Sequence, residues 1–300
     1  LDPAGSGIRA GGTADVTITG GGGAMSNSGS DYCGSSAWIQ ADGPLDSADG
    51  IDICNNANVI SLPPNPAAAQ IIDPLVGVAE PQCGSLPVYN NQNPALADRW
   101  ETNPANPNWI PDVRLGTGPG SGDEGPVQHY KPGNYTQGIR ISGEYEVIFE
   151  PGLYCFGGDF APTAGISQDL DISGDDVMFY MYGNSQFDVD GQGVNLDVSN
   201  LDGNACGQAA CQAGVIIFYS RGIVSGQPED CTELVLNGNI VNVEGILYAL
   251  CSLIRLEGNG DLTVTGQVIG AEIFVRGGNQ VVVNYLSDLV LAPPQVYLVD

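Results

Sequence analysis

Six aspartates are the residues whose type and spacing could do chemistry. They lie in two short segments, QDLDISGDDVMF and FDVDGQG: Asp169, Asp171, Asp175, Asp176, Asp188 and Asp190. Loops that offer several carboxylate oxygens suit calcium, although the spacing matches neither an EF-hand loop nor the calcium-binding nonapeptide repeat. The alternative is that carboxylates at every second position of a strand form a solvated face. No cofactor is otherwise expected.

Paired carboxylates also suit glycoside hydrolysis, since Asp-x-Asp on one strand face separates two carboxyl groups by about 5–9 Å. A polysaccharide lyase would instead need basic side chains, and the chain has only Lys131, seven arginines and His129. His129 has no GxSxG nucleophile motif near it. We therefore expect no catalytic residues. A carbohydrate-active enzyme and a calcium-dependent binding module remain the alternatives.

The elements that carry these residues follow a repeat near the end of the chain. Gly-Asn occurs at Gly238, Gly258 and Gly278, each 20 residues after the last, and Gly245 and Gly266 mark a second turn at nearly the same step. The runs between them alternate apolar and polar residues with period 2, which indicates strands. A fixed period of about 20 residues is typical of stacked coils. An antiparallel meander with Asn-Gly turns is the alternative.

Similar short phrases extend the repeat along most of the chain. PGNY at Pro132 returns as PGLY at Pro151, and ISG at Ile141 returns at Ile172. The prediction is an all-β fold, a right-handed parallel β-helix with coils of about 20 residues, the hand following from the bias of parallel crossovers. Residues 1–62 and 133–285 form its coils, 63–132 a long proline-rich insertion packed along it, and 286–300 a C-terminal tail strand.

Composition excludes several classes of partner. The net charge is −27, with only eight lysines and arginines. Nucleic acid would be repelled by such a surface, and anionic membranes are disfavoured for the same reason. No apolar run reaches the roughly 20 residues of a membrane span.

Eight cysteines, an even number, fit an oxidising compartment. Two pairs, Cys231–Cys251 and Cys33–Cys54, are separated by one coil, so stacking would bring each within disulfide range. Cys206–Cys211 could close a small loop, which leaves Cys83–Cys155. A metal site is the alternative, but the chain contains no CxxC.

The order of these phrases resembles a known family. PGNY with IRISG, VIFEPGLY, VMFYMYG, AGVIIFYSR, VEGILYA and GNGDLTVTGQVIGAEI, together with the opening LDPAGSG and the linker IIDPLVGVAEP, is similar to the extracellular C-terminal region of TadG-like (TadE/TadG) proteins. These accompany the Flp, or tight-adherence, pilus of bacteria. The resemblance implies an extracellular, cell-surface β-helical protein of adhesion or pilus assembly, with Tad pilus components and surface glycans as partners. The family's membrane-anchoring helix has no counterpart here, which favours a released or polymerised form.

Self-assembly is the last expectation. The terminal coil ends in VVVNYLSDLVLAPPQVYLVD, in which Pro293 and Pro294 precede a short apolar strand made of Val296, Tyr297, Leu298 and Val299. An unpaired strand edge at a solenoid end is a template for another chain. We therefore expect a homo-oligomer or filament formed by end-to-end stacking, with this tail adding to a neighbour.

Overall fold

The computed structural model describes residues 7–69, 73–89, 113–114, 127–142, 145–200, 206–212, 214–221, 232–258, 260–278 and 280–286. It is an all-β protein whose parallel strands form a β-solenoid of about 10 turns with coils of about 22 residues. The strands are β1 Ile8–Gly11, β2 Asp15–Thr19, β3 Ala24–Ser26, β4 Ser30–Cys33, β5 Trp38–Ser47, β6 Ile51–Cys54, β7 Asn58–Leu62, β8 Val88–Tyr89, β9 Val113–Arg114, β10 Val127–Tyr130, β11 Gly133–Tyr135, β12 Ile139–Ser142, β13 Tyr145–Phe149, β14 Gly152–Phe156, β15 Phe160–Thr163, β16 Leu170–Gly174, β17 Val177–Met181, β18 Phe187–Asp190, β19 Val194–Ser199, β20 Val215–Tyr219, β21 Leu234–Asn237, β22 Ile240–Gly258, β23 Asp261–Gly277 and β24 Gln280–Asn284; α1, Ala209–Gln212, is one helical turn.

Three parallel ladders run along the solenoid. Ladder A contains β10, β13, β16, β19, the first parts of β22 and β23, β24, β2, the first part of β5 and β7. Ladder B contains β8, β11, β14, β17, β20 and the middle of β22 and β23. Ladder C contains β12, β15, β18, β21, the last parts of β22 and β23, β1, β4 and β6. The predicted parallel solenoid is therefore confirmed, and the meander is not formed.

Glycines mark the corners between ladders, as the sequence period indicates. Gly245 lies opposite Gly266, and a Cβ on Gly266 would stand 2.1 Å from the Gly245 carbonyl oxygen. Gly266 also has φ 146°, a conformation that L side chains rarely adopt. At the other corner Gly258 faces Gly277, which places Gly278 one residue past the expected position. The structural step there is 19 residues instead of 20.

The interior is filled by side chains that alternate inward along each strand. Between β10 and β18 the filling is aromatic: Phe179 lies 5.2 Å from Phe149 and 5.7 Å from Phe160, measured between ring centroids. Strands β14, β17 and β20 are buried on both faces, because residues 73–86 and α1 cover their outer side. This explains why their sequences are continuously apolar.

The coils do not stack in the order of the chain. Strand β1 pairs with β23 and β2 pairs with β24, so residues 8–62 continue the solenoid beyond its C-terminal coil. One composite coil has β24 on ladder A and β1 on ladder C. The sequence-based view of β24 as a terminal edge is wrong, because β2 occupies that edge.

Because residues 8–62 lie beyond the C-terminal coil, the proline-rich insertion has to run back along the solenoid to reach β10. Its described part, residues 73–89, lies along the outside of the solenoid and forms a strap. Asp73 accepts a hydrogen bond from the Tyr248 hydroxyl, and Glu80 accepts one from the Tyr180 hydroxyl. Cys83 forms a disulfide with Cys155, and the Tyr89 ring packs at a tilt against the Tyr135 ring, with centroids 4.9 Å apart. These contacts descend ladder B from β22 to β11. The strap therefore braces successive coils from outside.

Candidate functional site

Arg221 is the central residue of the contact between strap and solenoid. Its guanidinium donates to the carbonyl oxygens of Leu75 at 2.5 Å and Val78 at 2.9 Å, and to the Tyr248 hydroxyl at 2.9 Å. It also lies 3.8 Å from an Asp73 carboxylate oxygen. The side chain is largely buried. Arg221 thus ties the strap's backbone to the outer face of ladder B.

Glu80 completes this contact from the strap side. Its carboxylate accepts hydrogen bonds from the Tyr180 hydroxyl at 2.8 Å, the Ser220 hydroxyl at 3.1 Å and the Arg221 backbone N–H at 2.9 Å. Burial raises the pKa of the Tyr180 and Tyr248 phenols, so both remain hydrogen-bond donors across the physiological range. These polar groups satisfy one another, which suits a structural role better than a reactive one.

Disulfides reinforce the same arrangement. Cys83–Cys155 joins the strap to β14, Cys33–Cys54 joins neighbouring strands of ladder C, and Cys206–Cys211 closes a loop of five residues. These coincide with pairings expected from the sequence. Cys251 is also disulfide-bonded, while Cys231, its expected partner, lies outside the described residues.

The six aspartates singled out by sequence fall on different parts of the solenoid. Asp171 lies on β16 in ladder A, whereas Asp188 and Asp190 lie on β18 in ladder C. Asp169 precedes β16, and Asp175 and Asp176 form the corner after it, with Asp176 at φ 52°. The six therefore do not form one ligand set.

Several of these carboxylates hydrogen-bond along the stack. Asp171 accepts from Asn195 at 2.7 Å, Asp175 from Ser199 at 3.1 Å and Asp190 from Asn237 at 2.8 Å. Each bond joins one coil to the next. Asx and hydroxyl ladders of this kind stabilise neighbouring strands.

Asp188 has the most unusual environment of the six. It is half-buried, and burial raises the pKa of its carboxyl, with the neighbouring carboxylates of Asp190 and Asp159 adding to the effect. A carboxyl with a raised pKa in a cleft is a functional-site candidate. Here it lies on a strand face beside other acids.

Where the structure is described, the group whose geometry could hold a metal ion consists of Asp31, Cys33 and Cys54. Its two sulfur atoms form the Cys33–Cys54 disulfide, so they offer no thiolate. His129 lies on β10 at the opposite end of the molecule.

The two ends of the solenoid differ. The open end is the coil of β6 and β7, where Ile53 is 49% and Leu62 54% exposed, and no described strand pairs with the outer edge of either β6 or β7. The covered end is the coil of β10–β12, where β8 lies on β11 and β9 on β10. There the inward-facing Tyr135 and Ile139 are at most 1% exposed.

No protein-family model, curated protein or solved structure matches this chain. The described part of the chain contains no helix that is long and apolar enough to cross a membrane. The predicted assembly residues Val296, Tyr297, Leu298 and Val299 lie outside the described residues.

Sequence reasoning missed Asp73, Glu80 and Arg221. A faint signal existed, since Arg221 lies two residues after the end of the continuously apolar strand β20 and is one of few cations in the chain. A lone cation beside a wholly buried strand requires a partner. Its partners are about 140 residues away in the sequence, so no local pattern pointed to them.

Proposed function

We propose that this protein is an extracellular structural or adhesive protein of a bacterial surface. The observation that supports this most directly is the uninterrupted stack from β10 to β7, in which Cys33–Cys54 joins two neighbouring coils and Cys83–Cys155 joins the strap to β14. About ten turns at roughly 4.8 Å each form a rod about 48 Å long. Disulfides of this kind persist in oxidising compartments outside the cytoplasm.

A role beside the tight-adherence pilus, or in a filament of the chain's own, follows from the TadG-like resemblance. The elongated shape of the solenoid and the contacts between its coils support this role. Its strap contacts, aspartate ladders and aromatic interior connect one coil to the next, as a load along the axis would require. Surface glycans and pilus components remain the proposed partners.

Immunogold labelling of intact bacteria that produce the protein tests the location. We expect label outside the cell, and non-reducing peptide mapping should recover Cys33–Cys54 and Cys83–Cys155 as oxidised pairs. Label that appears only after permeabilisation, with free thiols at these positions, would contradict the proposal.

The raised pKa of Asp188 favours one alternative, a carbohydrate-active enzyme. Incubation with surface polysaccharides separates the two functions. Release of sugar by the native chain that is lost in Asp188→Asn and in Asp190→Asn would establish an enzyme. A structural protein instead shows no turnover and keeps its attachment to cells after either substitution.

A further inference from the structure

We propose that residues 286–291 form a strand of ladder B between β23 and β3, so that the C-terminal segment docks on the solenoid of its own chain. In the composite coil β24 lies on ladder A and β1 on ladder C, whereas no described strand lies on ladder B of that coil. We call this strand position, between residues 267–270 of β23 and Ala24–Ser26 of β3, the slot. The inference goes beyond the proposed function, since it specifies a docking site within the solenoid.

The slot is bounded by the edges of two strands. Residues 267–270 of β23 pair with β22 on one side, and β3 pairs with β5 on one side; no described strand pairs with the facing edge of either. The slot has room for one strand, because β24 alone separates β23 from β2 on ladder A and β1 alone separates β23 from β4 on ladder C. Free edges of this kind present rows of backbone N–H and C=O groups to which a further strand can add.

The inward-facing side chains beside the slot are incompletely covered. Leu247 lies opposite Val268 on one side of the slot, and Leu45 lies opposite Ala24 on the other. Leu247 and Leu45 are at most 2% exposed, whereas Val268 and Ala24, which stand next to the slot, are only partly buried in the same core. A strand in the slot would therefore bury apolar surface on both sides.

The described chain leads into the slot from β24. The Tyr285 N–H donates to the Thr19 carbonyl oxygen, so the chain follows β2 as far as the corner between ladders A and B. Leu286 is the next residue, and the chain continues from there to Asp300. In β22 and β23 the same corner leads directly from ladder A to ladder B. The residues after Tyr285 would therefore enter the slot parallel to both of its neighbours.

The register places a large side chain between two small ones. Strand β24 follows β23 at an offset of 19 residues, and the same offset sets Leu289 beside Gly270. On the other side of the slot the corresponding inward residue is Ser26. Gly270 and Ser26 each stand two residues after the partly buried residue of their own strand. Leu289 would fill the space that they leave, and Asp288 would point outward into solvent.

Two other segments suit the slot less well. Residues 1–6, which precede β1, contain Pro3, which lacks an N–H group, and show no apolar alternation. A second copy carries the same net charge of −27, so the two molecules repel each other. Residues 286–291 are instead tethered at the edge of the slot, which gives them an effective concentration of about millimolar. Pro293 and Pro294 follow and end the strand, because proline cannot donate to the ladder.

Disulfide trapping in the full oxidised chain tests this placement. Met25 and Asp288 share an outward column, so Met25→Cys with Asp288→Cys should bring two Cα atoms within about 5 Å, inside disulfide range. We expect a link within one chain, found by non-reducing peptide mapping of the monomer at every protein concentration. Met25→Cys with Val290→Cys is the matched control. Val290 points the same way but lies about 7 Å further along the strand, so this pair should link at least about tenfold less.

A second measurement needs no new cysteine. Leu289→Ser should speed amide hydrogen exchange in β3 and in residues 267–270 at least about tenfold, whereas Leu298→Ser, beyond the two prolines, should leave that exchange unchanged. Links that form only between chains, equal linking by the Asp288 and Val290 variants, or exchange that ignores Leu289→Ser would each overturn the inference. None of these results bears on the location measured by immunogold, so the inference and the proposed function fail separately.

Discussion

The terminal coils at the two ends of this solenoid are covered to different extents. At the covered end the chain caps its own terminal coil with β8 and β9, and the Tyr89 ring packs against the Tyr135 ring. At the open end Ile53 remains half exposed. Natural solenoids require a cap at each end. The described residues therefore cover one end of the solenoid and leave the apolar side chain of Ile53 half exposed at the other.

The interiors behind the two ends differ as well. The covered end is filled with aromatic rings: Tyr130 stacks on Phe149 and packs at a tilt against Tyr135. The open end is filled with smaller residues such as Ala37, Ala41 and Ser47. Large rings bury more apolar area per residue. The covered end is therefore the stable part of the rod, and the open-end coils should exchange amide hydrogens first.

Truncation of the aromatic interior gives the largest expected difference. Phe179→Ala should lower the free energy of unfolding by about 3–5 kcal/mol, because it leaves a cavity among five neighbouring rings. Ile53→Ala at the open end should cost about 1 kcal/mol, since that side chain is half exposed. Urea unfolding measures both. Equal costs would remove the energetic contrast between the ends.

Removing each disulfide should lower the free energy of unfolding by a different amount and should loosen a different part of the solenoid. Cys83→Ser with Cys155→Ser opens a loop of 72 residues and should cost about 4 kcal/mol; Cys33→Ser with Cys54→Ser opens one of 21 residues and should cost about 3 kcal/mol. Hydrogen exchange should show faster opening of the strap in the first variant and of β6 and β7 in the second. Faster exchange throughout the rod in both variants would mean that the ends are not independent.

Much of one coil could be predicted from the sequence, whereas the order of the coils could not. The recurrence of Gly238 and Gly258 and the period-2 runs depend on local backbone preferences, so they are visible in any two successive coils of this region. The pairing of β1 with β23 depends on which edge is free after the whole chain has folded. The bond between Asp73 and Tyr248 joins residues 175 apart. Neither of these two long-range contacts produces a periodic pattern in the sequence.

The strap contact offers a smaller test of how the covered end is held. Arg221→Met should cost about 2–4 kcal/mol, because it leaves two strap carbonyl groups without their donor and Asp73 without its cation. Limited proteolysis should then cleave within residues 73–89. Arg140→Met is the matched control: its side chain is mostly exposed and 3.7 Å from Asp159, so it should change stability by less than about 0.5 kcal/mol. A strap that stays resistant in Arg221→Met would show that Cys83–Cys155 alone holds it.

The smallest expected change in stability comes from substituting Asp188, which lies on the solenoid between its two ends. Its carboxyl has a raised pKa in the folded chain, so the folded state binds a proton more tightly than the unfolded state does. Protonation therefore stabilises the fold at pH values below the unfolded pKa, near 3.9, and that contribution is lost as pH rises through the folded pKa.

Asp188→Asn should raise stability slightly at pH 7, and the difference from the native chain should shrink on acidification. Thermal unfolding at pH 7 and pH 4 measures this. Asp197→Asn, at an exposed aspartate on β19, serves as the comparison. A loss of stability at pH 7 in Asp188→Asn would mean that its charge is used, by a bound cation or by Arg255, and would return calcium to consideration on this face.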